Sequence, residues 1–171
     1  FQPGPGTGGH CIPLDPLYLS WKLRTLEYRA RFVELSDDVN LGMPRYVVER
    51  VATALNDERR SLKGAKVLVL GLSYKRDVDD TRESPSFEII ERLRAEGVEV
   101  AYCDPYIPVA RPGREHDLRL SSVPCTAEEF ARYDVLVVST AHSDFKRAGL
   151  YAGAKLVVDT RNLMAPLGLG A

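Results

Sequence analysis

Three shortages in this sequence each remove a class of function. Charge of one sign is not in excess: 23 Lys and Arg face 24 Asp and Glu, a formal net charge of −1, so nothing global draws the chain to nucleic acid or an anionic membrane. Long apolar runs are missing, which argues against a membrane-spanning helix. Cysteine is scarce. Cys11, Cys103 and Cys125 are odd in number and form no CxxC pair, so the expectation is no metal site, no disulfide framework and a reducing, cytoplasmic setting. What is present, 171 residues that are 44% apolar and 27% charged, is the composition of a soluble globular domain with enough chain for its own core. The opening FQPGPGTGGHCIP has neither an initiator Met nor the plan of a signal peptide, and reads as part of a longer protein.

Those thirteen residues hold four Gly and three Pro, too much punctuation for a helix or strand, and predict a tightly turned loop. Asp15 followed by Pro16 predicts an N-cap and first helical residue, with the helix running to about Ala30. Phe32, Leu35, Val39, Met43, Tyr46, Val47, Val51, Ala54 and Leu55 then recur every three or four residues, which predicts one long amphipathic helix ending near Asp57. Such surplus length suits a helix that crosses between domains or subunits. Pro44 predicts a kink or short break in it.

From Ser61 the period changes. Lys66 to Leu72 is a short, continuously apolar run ending in Gly, the pattern of a strand buried on both faces. Ser84 to Glu96 reads as a helix capped by Ser84 and Pro85, VEVAYCD as a second strand, Ala127 to Tyr133 as a short helix, and Asp134 to Thr140 and Lys155 to Thr160 as further strands. The fold class is therefore α/β: a long central helix followed by a Rossmann-like parallel sheet with flanking helices. Residues 1–60 would form a glycine-rich loop with central helices, and residues 61–171 the nucleotide-binding sheet.

Chemistry concentrates in two stretches. The first strand ends at GLSYK rather than in the GxGxxG of a dinucleotide site, so a nucleotide there would be held by side chains, Lys75 above all. Ser73 to Ser84 is dense in charge just before a helix N-terminus, a place that suits anions, although such a run is also an ordinary solvated loop. Asp104, at the end of the second strand, stands where these folds put an acid for a ribose hydroxyl, or simply makes an Asp-Pro turn. In GGHCIPLDP, Cys11 lies in a glycine-rich loop just ahead of a helix, a setting that favours the thiolate and so a nucleophile; the plain alternative is a small buried apolar residue. His116 and His142 lie among charged loop residues and read as solvated.

Pro3 to Leu19 (PGPGTGGHCIPLDPLYL), followed by Ser73 to Pro85 (SYKRDVDDTRESP), resembles the nucleotide-sugar 6-dehydrogenase family of UDP-glucose and GDP-mannose dehydrogenases, and GGHCIP with DDTRESP resembles its UDP-N-acetylhexosamine branch. The resemblance spans the chain but only the C-terminal half of a family member. It implies oxidation of a sugar C6 alcohol to a uronate with two NAD⁺, through a thiohemiacetal and thioester on Cys11, in polysaccharide precursor synthesis. By the same resemblance Asp15 would orient water or a catalytic partner, and Gln2, Pro3, Gly4, Pro5, Gly6, Thr7 and Gly8 would line the sugar. Tyr74 and Lys75 would contact the UDP part, Arg161 the substrate, and Arg82 the NAD held by the other half. The resemblance also implies a homodimer through the long helix. It points to UDP-N-acetylmannosamine, with a UDP-glucose or GDP-mannose dehydrogenase, or a non-catalytic UDP-sugar-binding and dimerisation module, as the alternatives.

Overall fold

A computed structural model describes residues 3–112 and 116–169. Four strands, β1 (Lys66–Leu70), β2 (Glu99–Cys103), β3 (Val135–Val138) and β4 (Val157–Asp159), form one sheet in the order β2-β1-β3-β4, every neighbouring pair parallel. Alternate side chains of the apolar runs serve opposite faces. Val67, Val69, Val135 and Val137 pack on one side, Leu68, Leu70, Leu136 and Val138 on the other, and all eight are shut off from solvent.

Helices cover both sides. Helix α3 (Pro85–Ala95) and the C-terminal half of α2 (Arg31–Asp57) close the first face through Ile89, Ile90, Leu93, Val51 and Leu55. Helix α4 (Ala127–Phe130) and the 3₁₀ turns Ser143–Phe145 and Ala148–Tyr151 close the second through Phe130, Phe145 and Tyr151. The α/β, Rossmann-like architecture is as expected. Ser84 caps α3 from an extended backbone conformation and accepts a hydrogen bond from the Ser86 N–H, with Pro85 in the first turn.

Helix α1 (Cys11–Arg24) departs from expectation at both ends. It begins at Cys11, four residues before Asp15. Pro13 falls where the first-turn N–H groups have no helical partner, so it costs nothing there, and Pro16 is accommodated within the helix at the loss of one backbone bond. The helix stops at Arg24, and Glu27 turns into the left-handed region at φ 58°. Glu34 ties α1 to α2: its Oε1 accepts from Ser20 Oγ (2.7 Å) and Arg24 Nη2 (2.8 Å).

Helix α2 runs for 27 residues through Pro44, so of the kink or short break expected there, the break is absent. Its two halves differ in what they meet. Val47, Val48, Val51 and Leu55 belong to the core under the sheet, whereas Phe32, Leu35, Val39, Leu41 and Tyr46 are exposed, Phe32 at 88%. Ile12, Tyr18, Leu19 and Trp21 of α1 are exposed as well.

The cysteine expectation is corrected. Cys103, the last residue of β2, is bonded to Cys125, because residues 121–125 run back alongside β2, with Val123 N–H donating to the Tyr102 carbonyl (2.9 Å). Cys11 is the free cysteine among the described residues. No described helix is long and apolar enough to cross a membrane.

Candidate functional site

The segment Pro3–His10 lies against the loop that follows β1. Gly9 N–H donates to the Arg82 carbonyl (2.9 Å), and Gly9, at φ 90°, sits beneath the Tyr74 ring. Gly8 is closer still: a Cβ there would lie 2.5 Å from the Glu83 carbonyl oxygen and 2.6 Å from Tyr74 Cβ. Only glycine permits this approach. From the other side, Asn40 of α2 accepts the Thr7 N–H on its Oδ1 at 2.7 Å.

These contacts shape a cleft of about 940 Å³. It is lined by Pro3, Gly4, Gly6, Thr7 and Gly8 of the loop, Ile12, Pro13, Pro16 and Leu17 of α1, Phe32, Val33, Ser36, Asp37 and Asn40 of α2, and Tyr74, Lys75 and Arg161. Arg161 packs directly on Gly4, where any side chain would overlap its guanidinium, and its Nε donates to the Ser139 carbonyl (2.8 Å). Burial pulls its pKa below the usual guanidinium value. A cleft lined by two cations together with apolar and hydroxyl groups suits an anion joined to a polar ring.

Other expected site residues stand apart from the lining. Cys11 is exposed as the first residue of α1, one position from Ile12, and Asp15 is exposed within the helix. Pro5 is buried under the loop. Arg82 folds onto Asp80, its Nε and Nη2 within 3.1 Å of the carboxylate; that hydrogen bonding raises the Arg82 pKa and lowers that of Asp80. Gln2 lies outside the described residues.

Of the two readings of Asp104 the structure shows the turn and not the ribose contact, whereas His142 was misplaced. Asp104 is 2% exposed, and its lone pairs are taken by the chain itself. Oδ2 accepts from Leu72 N–H (2.6 Å), Ser73 N–H (3.0 Å), Ser73 Oγ (3.1 Å) and His142 Nε2 (3.1 Å), and Oδ1 from Tyr106 and Ile107 N–H. It organises the loops and leaves no place for a ribose. Burial pushes its carboxyl up, but hydrogen bonds from His142 and from the Ser73 and Tyr106 amides outweigh this and hold its pKa below the ordinary value. His142, read as solvated, is completely buried between Tyr106 and Phe145. His116 is half-buried, its Nδ1 2.8 Å from Glu91 Oε2. Glu88, Glu91 and His116 bring ligand-type atoms within 4.8 Å of one another, but Arg92 already occupies Glu88 at 2.6 Å.

The crevice between the carboxyl ends of β1 and β3 is where a doubly wound sheet usually takes a dinucleotide. Here the chain fills it. Ser86 Oγ bonds Ser139 Oγ (2.6 Å) and donates to the Gly71 carbonyl (2.9 Å), and Thr140 lies against Gly71. The described residues therefore do not fit an NAD pyrophosphate at that place.

The fold and cleft define a doubly wound α/β chain whose side-chain site lies outside the customary crevice. Residues 68–166 match the UDP-binding domain of the UDP-glucose/GDP-mannose dehydrogenase family, and residues 1–41 match that family's central domain; the chain belongs to this family. It is 31% identical over 149 residues to the UDP-N-acetyl-D-glucosamine 6-dehydrogenase of Pseudomonas aeruginosa, covering 87% of this chain and 34% of that protein. It is likewise 31% identical over 171 residues to the UDP-N-acetyl-D-mannosamine dehydrogenase of Methanococcus vannielii, covering 95% and 36%. The crystal structure of NDP-N-acetyl-D-galactosaminuronic acid dehydrogenase from Methanosarcina mazei Go1 superposes with a TM-score of 0.82 at 27% identity, covering 99% of this chain and 38% of that one. The chain thus spans about a third of the length of the curated relatives it matches.

Proposed function

We propose that this chain is the substrate-binding and dimerising part of an NAD-dependent UDP-N-acetylhexosamine 6-dehydrogenase, with UDP-N-acetylmannosamine as its substrate. The observation that carries the reading is the meeting, in one cleft, of the glycine loop, Tyr74, Lys75 and Arg161, which lie up to 158 residues apart in sequence. Lys75 and Arg161 bind the diphosphate, Tyr74 contacts the uridine part, and the backbone of Gln2 to Gly8 receives the sugar. Residues 1–60 supply the loop and helices, and residues 61–171 supply the nucleotide-binding sheet.

Cys11 acts as the nucleophile. Its thiolate adds to the C6 aldehyde, forming a C–S bond and an oxyanion, and water hydrolyses the later thioester to release the uronate and restore the thiol. Asp15, one helical turn on, orients the water. NAD⁺, bound by the part of the protein this chain does not span, supplies hydride acceptance, and Arg82 turns from Asp80 to reach it. The exposed apolar side chains of α1 and α2 support a homodimer through these helices.

Calorimetric titration of the chain with UDP, UDP-N-acetylmannosamine, UDP-glucose and NAD⁺ tests the division of labour. UDP and UDP-N-acetylmannosamine bind, Lys75→Ala abolishes both, and NAD⁺ gives no heat. Binding of NAD⁺ without UDP would assign the cleft to the wrong ligand.

A further inference from the structure

The loop carrying Tyr74 and Lys75 is fixed at both ends, and one side chain joins the two fixings. At its start, the Leu72 and Ser73 amides donate to Asp104 Oδ2, and Thr140 Oγ1 donates to the Ser73 carbonyl at 2.6 Å. At its end, Asp77 stands in the left-handed region at φ 60°, a conformation a non-glycine residue holds only with support. Its carboxylate accepts from Ser143 N–H and Ser143 Oγ, both at 2.7 Å. Its own N–H donates to His142 Nδ1 at 3.0 Å.

A backbone N–H can only donate, so Nδ1 is the bare nitrogen of the imidazole. The proton is then on Nε2, which donates to Asp104 Oδ2 at 3.1 Å. The ring has no exposed surface and is pinned between Tyr106 and Phe145, with centroids 5.0 and 5.5 Å away. Neither ring nitrogen is spare for chemistry. The ring bridges the acid that holds residues 72–73 to the amide that ends the bow at residue 77.

We propose that His142, as the neutral Nε2–H tautomer, is a positioning residue for nucleotide binding, acting through Asp104 and Asp77 to hold the Tyr74–Asp77 bow so that Lys75 lines the cleft. This rests on the assignment of UDP to that cleft. The side chain touches neither cleft nor substrate, and its contribution is the shape of the loop.

Two substitutions separate its two bonds. In His142→Asn the amide oxygen replaces Nδ1 as acceptor for Asp77, and in His142→Gln the amide nitrogen replaces Nε2 as donor to Asp104. Calorimetry with UDP should show about twofold weaker binding for His142→Asn and about tenfold for His142→Gln, while thermal unfolding shifts both alike. A purely structural histidine would weaken binding equally in both variants, in step with melting temperature, and that result would overturn the proposal. The unsubstituted chain supplies a test that no misfolded variant can spoil: nitrogen-15 spectra of labelled histidine should show a bare Nδ1, and a protonated Nδ1 rejects the assignment. If UDP does not bind the unsubstituted chain, the nucleotide reading fails by itself. Hydrogen exchange at the Asp77 amide then decides the positioning: slow in the unsubstituted chain and His142→Asn but fast in His142→Gln supports it, and equal rates refute it.

Discussion

Gly8 lies so close to the Glu83 carbonyl that no side chain fits between them, since a Cβ at position 8 would fall 2.5 Å from the oxygen. The contact joins the N-terminal loop to the residue just ahead of the α3 cap, and Tyr74 Cβ, at 2.6 Å from the same position, joins it to the loop that carries Lys75. Gly8→Ala should force the two apart, at a cost of about 1–3 kcal/mol in stability. UDP affinity should fall with it. Thermal unfolding and titration on the same preparation would check both, and an unchanged melting temperature would show that the two segments separate freely.

Acid should find a specific weak point at Asp134, where the carboxylate ties the start of β1 to two cations. Burial pushes this carboxyl up, but the Lys66 N–H (2.9 Å), Arg60 (2.7 Å) and Lys155 (3.0 Å) outweigh it and hold the pKa at about 2, against 3.8 for the free group. A carboxyl lowered on folding gives stability that is complete above the unfolded pKa and is lost as pH falls through the folded one. Asp134→Asn should therefore be less stable than the unsubstituted chain by about 2 kcal/mol near neutrality. The gap should close between about pH 4 and pH 2, as denaturant melts at a series of pH values would reveal.

Association should depend on the exposed half of α2. Phe32, 88% exposed, contributes nothing to the core, so Phe32→Glu should leave the melting temperature of a dilute sample unchanged while shifting a dimer toward monomer in sedimentation velocity. A monomeric unsubstituted chain would count against the homodimer.

The sheet was legible because its strands are continuous apolar runs bounded by Gly and Asp, a pattern that local sequence alone carries. The cleft was legible through its loop motifs. Helix α1 was misread because Asp15-Pro16 carries a local capping signal that the earlier start at Cys11 overrides. Asn40, Ser36 and Asp37 went unnoticed although their polarity, three and four residues apart on one helix, was a visible interruption of an apolar pattern. The turn at Asp104 was legible in its Asp-Pro pair, but His142 had no such signal. Its partners lie 38 and 65 residues away, and only the parallel sheet brings the ends of β2 and β3 onto the loop after β1. Cys103 and Cys125 were obscured in the same way, by a separation of 22 residues that follows no short motif.

Helix α2 is one unbroken rod shared between core and cleft, its N-terminal half braced by α1 through Glu34 and by the glycine loop through Asn40. Its C-terminal half is clamped in the core through Val47, Val51 and Leu55, while its N-terminal half carries Asn40 and Asp37 at the cleft wall. At 1.5 Å per residue this outer half is about 20 Å long, so a tilt of about five degrees at the core would carry its tip, and the contacts on it, by roughly 2 Å. A displacement of that size is comparable to the reach of a hydrogen bond. Packing beneath the sheet and the width of the cleft are thus geared to one another.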